Sequence, residues 1–70
     1  MPGRRRTDQL TPRELEVLKL LGHGLTNREM AEALSLSTRT VEAHLRSIYP
    51  KLGVNTRSAA TRYVVENGLD

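Results

Sequence analysis

Cysteine is absent from this 70-residue sequence, as are phenylalanine and tryptophan, and two tyrosines are its only aromatic residues. Without cysteine, neither a disulfide framework nor a cysteine-ligated zinc site can hold the chain together. Without aromatic platforms on which bases stack, single-stranded nucleic acid is a disfavoured partner. A long apolar run is missing too, so no membrane span is expected. Nor does an apolar stretch follow the basic N-terminus to act as a signal peptide, so a cytoplasmic location is expected. A chain this short buries only about 60% of the surface its unfolded form exposes, which allows one compact domain. Its stability must come from helices packed through aliphatic side chains, chiefly leucine.

Positive charge is present, mostly as arginine, with a formal net charge of +3. Its placement says more than its amount. Residues 1–10 carry a net +2, from Arg4, Arg5 and Arg6 against Asp8. Residues 37–53 also carry +2, from Arg39, Arg46 and Lys51 against Glu42, while the other segments are neutral or, over 23–36, slightly acidic. An anionic partner is favoured, and with aromatic residues so scarce, duplex DNA fits better than a single strand.

Residues 1–9 have Pro, Gly and a charge run without periodicity, and read as a flexible basic tail or linker remnant ahead of a domain over 10–70. Within that domain one local pattern recurs four times: an apolar residue, a capping residue, and a second apolar residue five positions after the first. The instances begin at Leu10-Thr11, Leu25-Thr26, Leu36-Ser37 and Val54-Asn55. Thr, Ser or Asn at such a position accepts a hydrogen bond from a first-turn amide. Glu14 and Glu29 stand where a capping box needs them, and the apolar pairs form hydrophobic staples. Pro12 falls at the first helical position, where its missing N–H costs nothing. The pattern predicts an all-α, compact four-helix helix-turn-helix domain with helices over roughly 12–21, 27–34, 38–50 and 56–67. Gly22, Gly24, Gly53 and Gly68 are its expected stops.

Only Ser35-Leu36-Ser37 separates the second and third helices, and Leu36 must point inward there. A short helix, a tight turn and a longer helix describe a helix-turn-helix unit, although a plain helical bundle would read much the same. The third helix breaks the tie. Val41, Leu45, Ile48 and Leu52 form its buried stripe, while Arg39, Glu42, Ala43, Arg46, Ser47 and Pro50 lie opposite. An ordinary solvated face is the bland reading of that second stripe. After a tight turn, a helix lying in the major groove is the better one. Candidate base contacts are Glu42 to cytosine N4, Ala43 to a thymine methyl, Arg46 to guanine, and Ser47. Candidate backbone contacts are Thr26, Asn27 and Arg28 opening the second helix, Ser37, Thr38, Arg39 and Thr40 opening the third, and His44, Lys51 and Arg57.

Leu10-Thr-Pro-Arg-Glu14, Glu16-Val-Leu18, Gly24-Leu-Thr-Asn-Arg-Glu29, Ala31, Leu34-Ser-Leu-Ser37, Thr40-Val41, His44, Ile48, Lys51-Leu-Gly-Val54 and Arg57 form one series. In residue type and spacing it closely resembles the LuxR/FixJ/NarL DNA-binding domain of bacterial transcription regulators, over residues 10–69. The resemblance implies sequence-specific binding of double-stranded DNA for transcription regulation, with the third helix in the major groove. It also implies a weak homodimer through the fourth helix, whose outer residues are Ser58, Thr61, Arg62 and Val65. RNA polymerase is a further candidate partner. An upstream sensor or receiver domain, which the resemblance also implies, is absent from these 70 residues; an excised effector domain and a stand-alone regulator both remain open. Two residues depart from the pattern. Glu42 stands where family members often carry a cation, and points to a different base preference. Pro50 removes the hydrogen bond to the Arg46 carbonyl, so a kink or early end of the helix is expected around Ser47–Tyr49.

His23 and His44 lack the companions of a metal site and read as structural or, for His44, as a backbone contact. No catalytic constellation stands out, so neither an enzyme nor a cofactor is expected. Two rival functions remain. A sigma-factor-like promoter-reading domain shares the Leu-Thr-x-Arg-Glu opening, although Lys51-Leu-Gly-Val54 and the fourth helix ending at Gly68-Leu69 favour the LuxR-type reading. A protein-interaction helical bundle could use the same basic helix against an acidic partner.

Overall fold

The computed structural model describes residues 6–69. Over that range a 3-10 turn (Arg6–Gln9) precedes four α-helices: α1 (Pro12–Gly22), α2 (Asn27–Leu34), α3 (Thr38–Leu52) and α4 (Arg57–Glu66). The all-α, four-helix architecture is the expected one, and α2 has the expected bounds. The 3-10 turn packs against α3, although its residues were expected to be irregular. The rest of the expected tail, residues 1–5, lies outside the described residues.

Each helix begins at a hydroxyl. Thr11 and Thr26 accept from the amides of Glu14 and Glu29, whose carboxylates accept in turn from the Thr11 and Thr26 amides, so both capping boxes are closed. Ser37 Oγ accepts from the Thr40 amide at 3.1 Å. At α4 the cap is Thr56, not Asn55: the Thr56 hydroxyl accepts from the Ala59 amide at 3.1 Å, and the helix starts one residue later than expected.

The helix ends share a single device. Gly24, Ser35, Gly53 and Gly68 adopt positive φ. The residue after each donates its amide five residues back, Leu25 to Leu20, Leu36 to Ala31, Val54 to Tyr49 and Leu69 to Val64. These are Schellman motifs, and in each the last residue is apolar and packs on the core. Leu25 and Leu36 therefore close one helix while standing immediately before the cap of the next, which is why the α1–α2 and α2–α3 turns are so short. Ser35 holds the left-handed conformation (φ 57°) without being glycine.

Two expectations are corrected. Gly22 is not a stop but the last residue of α1, at its close approach to α4: a Cβ there would stand 2.3 Å from Val64 Cγ1. Pro50 does not end α3 early, because the helix continues to Leu52. Pro50 lies in the last turn and is exposed, where water can take up the carbonyl its ring leaves unbonded. The Schellman bonds to the Tyr49 and Pro50 carbonyls hold the turn closed behind it.

Helix α1 packs against each of the other three, and α2 against α3. The core comprises Val17, Leu18 and Leu21 of α1, Met30 and Ala31 of α2, Val41, Leu45, Ile48 and Leu52 of α3, and Ala60 and Val64 of α4. The predicted buried stripe of α3 is thus the observed one, and Leu36 packs inward as expected. Among the described residues no helix is long and apolar enough to cross a membrane.

Candidate nucleic-acid interface

With Val41, Leu45, Ile48 and Leu52 turned inward, the helical repeat puts Arg39, Glu42, Ala43 and Arg46 in solvent. Among the described residues the guanidinium groups of Arg28, Arg39 and Arg46 have no protein partner, and neither does the Glu42 carboxylate. This face adjoins two helix starts. At the first, Thr26 and Arg28 are exposed and Asn27 is half-buried; at the second, Ser37, Thr38 and Arg39 are exposed and Thr40 is half-buried. The Ser37 and Thr40 hydroxyls lie 2.9 Å apart and share a hydrogen bond. His44 is half-buried on the edge of α3.

Two of the expected DNA contacts are engaged inside the protein. Ser47 Oγ donates to Glu14 Oε2 at 2.6 Å, and Lys51 Nζ donates to Glu14 Oε1 at 2.8 Å. Glu14 is 4% exposed and is the only buried polar or charged residue among those described. Burial alone would raise its pKa. The hydrogen bonds from Lys51, Ser47 and the Thr11 amide, with the Lys51 charge, outweigh that and hold the carboxyl at about 2. From the sequence Glu14 was only half of a capping box; its other role was missed. A signal for it existed, because Glu14 shares the helical stripe of Val17, Leu18 and Leu21, and an acid on an apolar stripe needs a partner from another element.

On the other flank of α3, Asn27, Glu42, Leu45, Arg46, Tyr49 and Arg57 line an open cleft of roughly 320 Å3. Arg57 Nη1 donates to Asn27 Oδ1 at 2.7 Å, and Arg57 Nη2 donates to the Leu25 carbonyl. Arg57 is therefore tied to the start of α2 rather than standing free. Tyr49 was not singled out from the sequence as part of this region. On α4, Ser58, Arg62 and Val65 are exposed and Thr61 is half-buried, with Val65 the one large apolar side chain exposed among the described residues.

A short capped helix, a tight left-handed turn and a longer helix whose outer face carries unpaired cations, braced by two flanking helices, define a helix-turn-helix domain of the DNA-binding type. Residues 8–64 match the family described as bacterial regulatory proteins, luxR family, and the chain belongs to it. It is 38% identical over 63 residues to the transcriptional regulatory protein MctR of Rhizobium johnstonii, covering 90% of this chain and 29% of that protein. It is 44% identical over 62 residues to the transcriptional regulatory protein ComA of Bacillus subtilis, covering 89% and 29%. Identity to the nitrate/nitrite response regulator protein NarP of Escherichia coli is 48% over 52 residues, covering 74% and 24%. The chain thus spans less than a third of the length of each of these relatives.

Proposed function

We propose that the chain recognises a specific duplex DNA sequence by laying α3 in the major groove, and so serves transcription regulation. The observation that carries this reading is the outer face of α3, where Arg39 and Arg46 are unpaired beside the small Ala43. Unpaired guanidinium groups keep all their donors for an anionic partner, and the small Ala43 between them lets that partner approach the helix. In this reading Arg46 bonds guanine, Glu42 accepts from cytosine N4, and Ala43 meets a thymine methyl. Phosphates are held by Thr26, Asn27, Arg28, Ser37, Thr38, Arg39, Thr40 and His44. Ser47, Lys51 and Arg57 are left out, because each directs its donors to an acceptor on another element, Glu14 for the first two and Asn27 and Leu25 for the third. Two copies pair on DNA through the α4 face of Ser58, Thr61, Arg62 and Val65, each reading one half-site.

The test is selection of bound duplexes from a random-sequence pool at moderate salt. Enrichment of a short two-fold-symmetric site is expected, and Arg46→Ala should change the bases selected rather than weaken all sites equally. Weak, salt-sensitive binding to every duplex, with Arg46→Ala lowering all affinities alike, would refute the groove assignment and favour an interaction module.

A further inference from the structure

We infer that Arg57 is a positioning residue of the DNA interface, acting through Asn27, and not itself a phosphate contact. The inference rests on the DNA-binding reading above and deepens it. Arg57 is the first residue of α4, where the helix dipole disfavours a cation. It is compensated by two acceptors that bracket the α2 cap, the Leu25 carbonyl just before Thr26 and the Asn27 side chain just after it. One planar guanidinium thus grips both sides of the turn that starts α2.

The chemistry of the pair fixes the orientation of Asn27. A guanidinium has only donors, so the Asn27 atom facing it at 2.7 Å must be the carbonyl oxygen. The Asn27 amide nitrogen is then turned away from Arg57, and its hydrogens have no protein acceptor among the described residues. A half-buried amide presented as a pure donor, in the cleft it shares with Arg46, suits a phosphate oxygen. Without Arg57 the amide could turn over and present its oxygen, which repels phosphate. The same clamp ties α4, which carries the proposed pairing face, to the end of α2 that meets the DNA backbone.

Lysine and glutamine at position 57 separate the two roles. Affinity for the duplex selected by the parent protein is measured across a salt series for the parent, Arg57→Lys, Arg57→Gln, Asn27→Ala, and each position-57 variant combined with Asn27→Ala. Circular dichroism at the assay temperature establishes that each is folded. A phosphate contact tolerates lysine as a point charge, whereas lysine cannot span two acceptors as the planar fork does. Arg57→Lys should therefore weaken binding about fivefold, the effect of one lost hydrogen bond, with the salt slope unchanged. In the Asn27→Ala background the same change should fall below about twofold, because coupled residues are not additive. Arg57→Lys binding like the parent, with Arg57→Gln lowering the log–log salt slope by about 1, would overturn the inference and make Arg57 a direct contact. Independent losses at positions 27 and 57 would overturn it as well. If the parent protein selects no sequence at all, the DNA-binding reading itself fails, a different result from either.

Discussion

Replacing Glu14 with glutamine keeps the shape of the side chain, removes its charge and turns the oxygen that accepts from Ser47 into a donor. The carboxyl sits at about 2 instead of 4.5, a difference worth roughly 3 kcal/mol at neutral pH. Lys51 keeps 31% of its side chain in solvent, and screening brings the expected loss nearer to about 2 kcal/mol. The glutamine oxygen still accepts from the Thr11 amide, so the helix cap survives. The sign of the pH dependence follows from the depressed pKa. The stabilisation is complete above about 4.5 and is lost as the pH falls toward 2, because the unfolded chain takes up its proton first. Roughly half of it or more should be gone by pH 3. Urea denaturation of the parent and of Glu14→Gln, each at pH 7, 5, 4 and 3, gives the difference directly, and other carboxylates cancel between the two proteins. A gap of about 2 kcal/mol at pH 7 that narrows steadily below pH 4.5 is expected. A gap under about 0.5 kcal/mol at pH 7, or one that does not change with pH, would refute the account of Glu14 as a buried, ionised tie between α1 and α3.

Lys51→Met should lower stability by about 1–2 kcal/mol, since it strands the Glu14 charge, while leaving the salt slope of DNA binding within about 0.3 of the parent; a slope reduced by about 1 would return Lys51 to the phosphate contacts. Gly22→Ala should destabilise by about 1–3 kcal/mol through collision with Val64, and Val64→Ala should relieve much of the added penalty in the double variant, as thermal denaturation of the four proteins would reveal. Pro50→Ala restores an amide to the last turn of α3 and should raise the melting temperature by about 4–8 °C, the shift that about 1 kcal/mol produces in a domain this small; an unchanged or lower value would mean the proline is not strained there.

The fold was largely legible because its signals are local. Caps, staples and glycines act within five or six residues, and Thr11, Thr26, Ser37, Gly24, Gly53 and Gly68 do what their positions indicate. What the sequence did not show arose where a residue answers to something distant in the chain. Gly22 looks like a stop but makes room for Val64, forty-two positions away. Ser47 and Lys51 were read only as DNA contacts, yet both hydrogen-bond Glu14, 33 and 37 positions away. Arg57 looks like a free cation but is bonded to Asn27, 30 positions away. Pro50 was misjudged for a different reason: its cost depends on where the helix ends, and that end is set by the Schellman bonds around Gly53 rather than by the proline. In the site, the outward face of α3 followed from periodicity, whereas the division of its polar residues between protein and solvent required the tertiary arrangement.

That division bears on how a domain with so small a core can aim a helix. Aliphatic contacts from Val41, Leu45, Ile48 and Leu52 set how deeply α3 sits, but the burial of apolar area has no direction of its own and resists small rotations or slides of the helix only through packing. Hydrogen bonds are directional, because their strength falls steeply with angle and distance. Glu14 takes two of them from α3, one turn apart, through Ser47 and Lys51, and two points on one helix edge fix both its roll and its slide. Glu14 is itself fixed, since the Thr11 amide holds its carboxylate at the first turn of α1. The capping box at the start of α1 is therefore the reference against which α3 is oriented. A buried charge earns its place here by direction more than by net stability. Arg46 precedes Ser47 in the chain, so any rotation that strained the Ser47 bond would swing the guanidinium of Arg46 by the same angle.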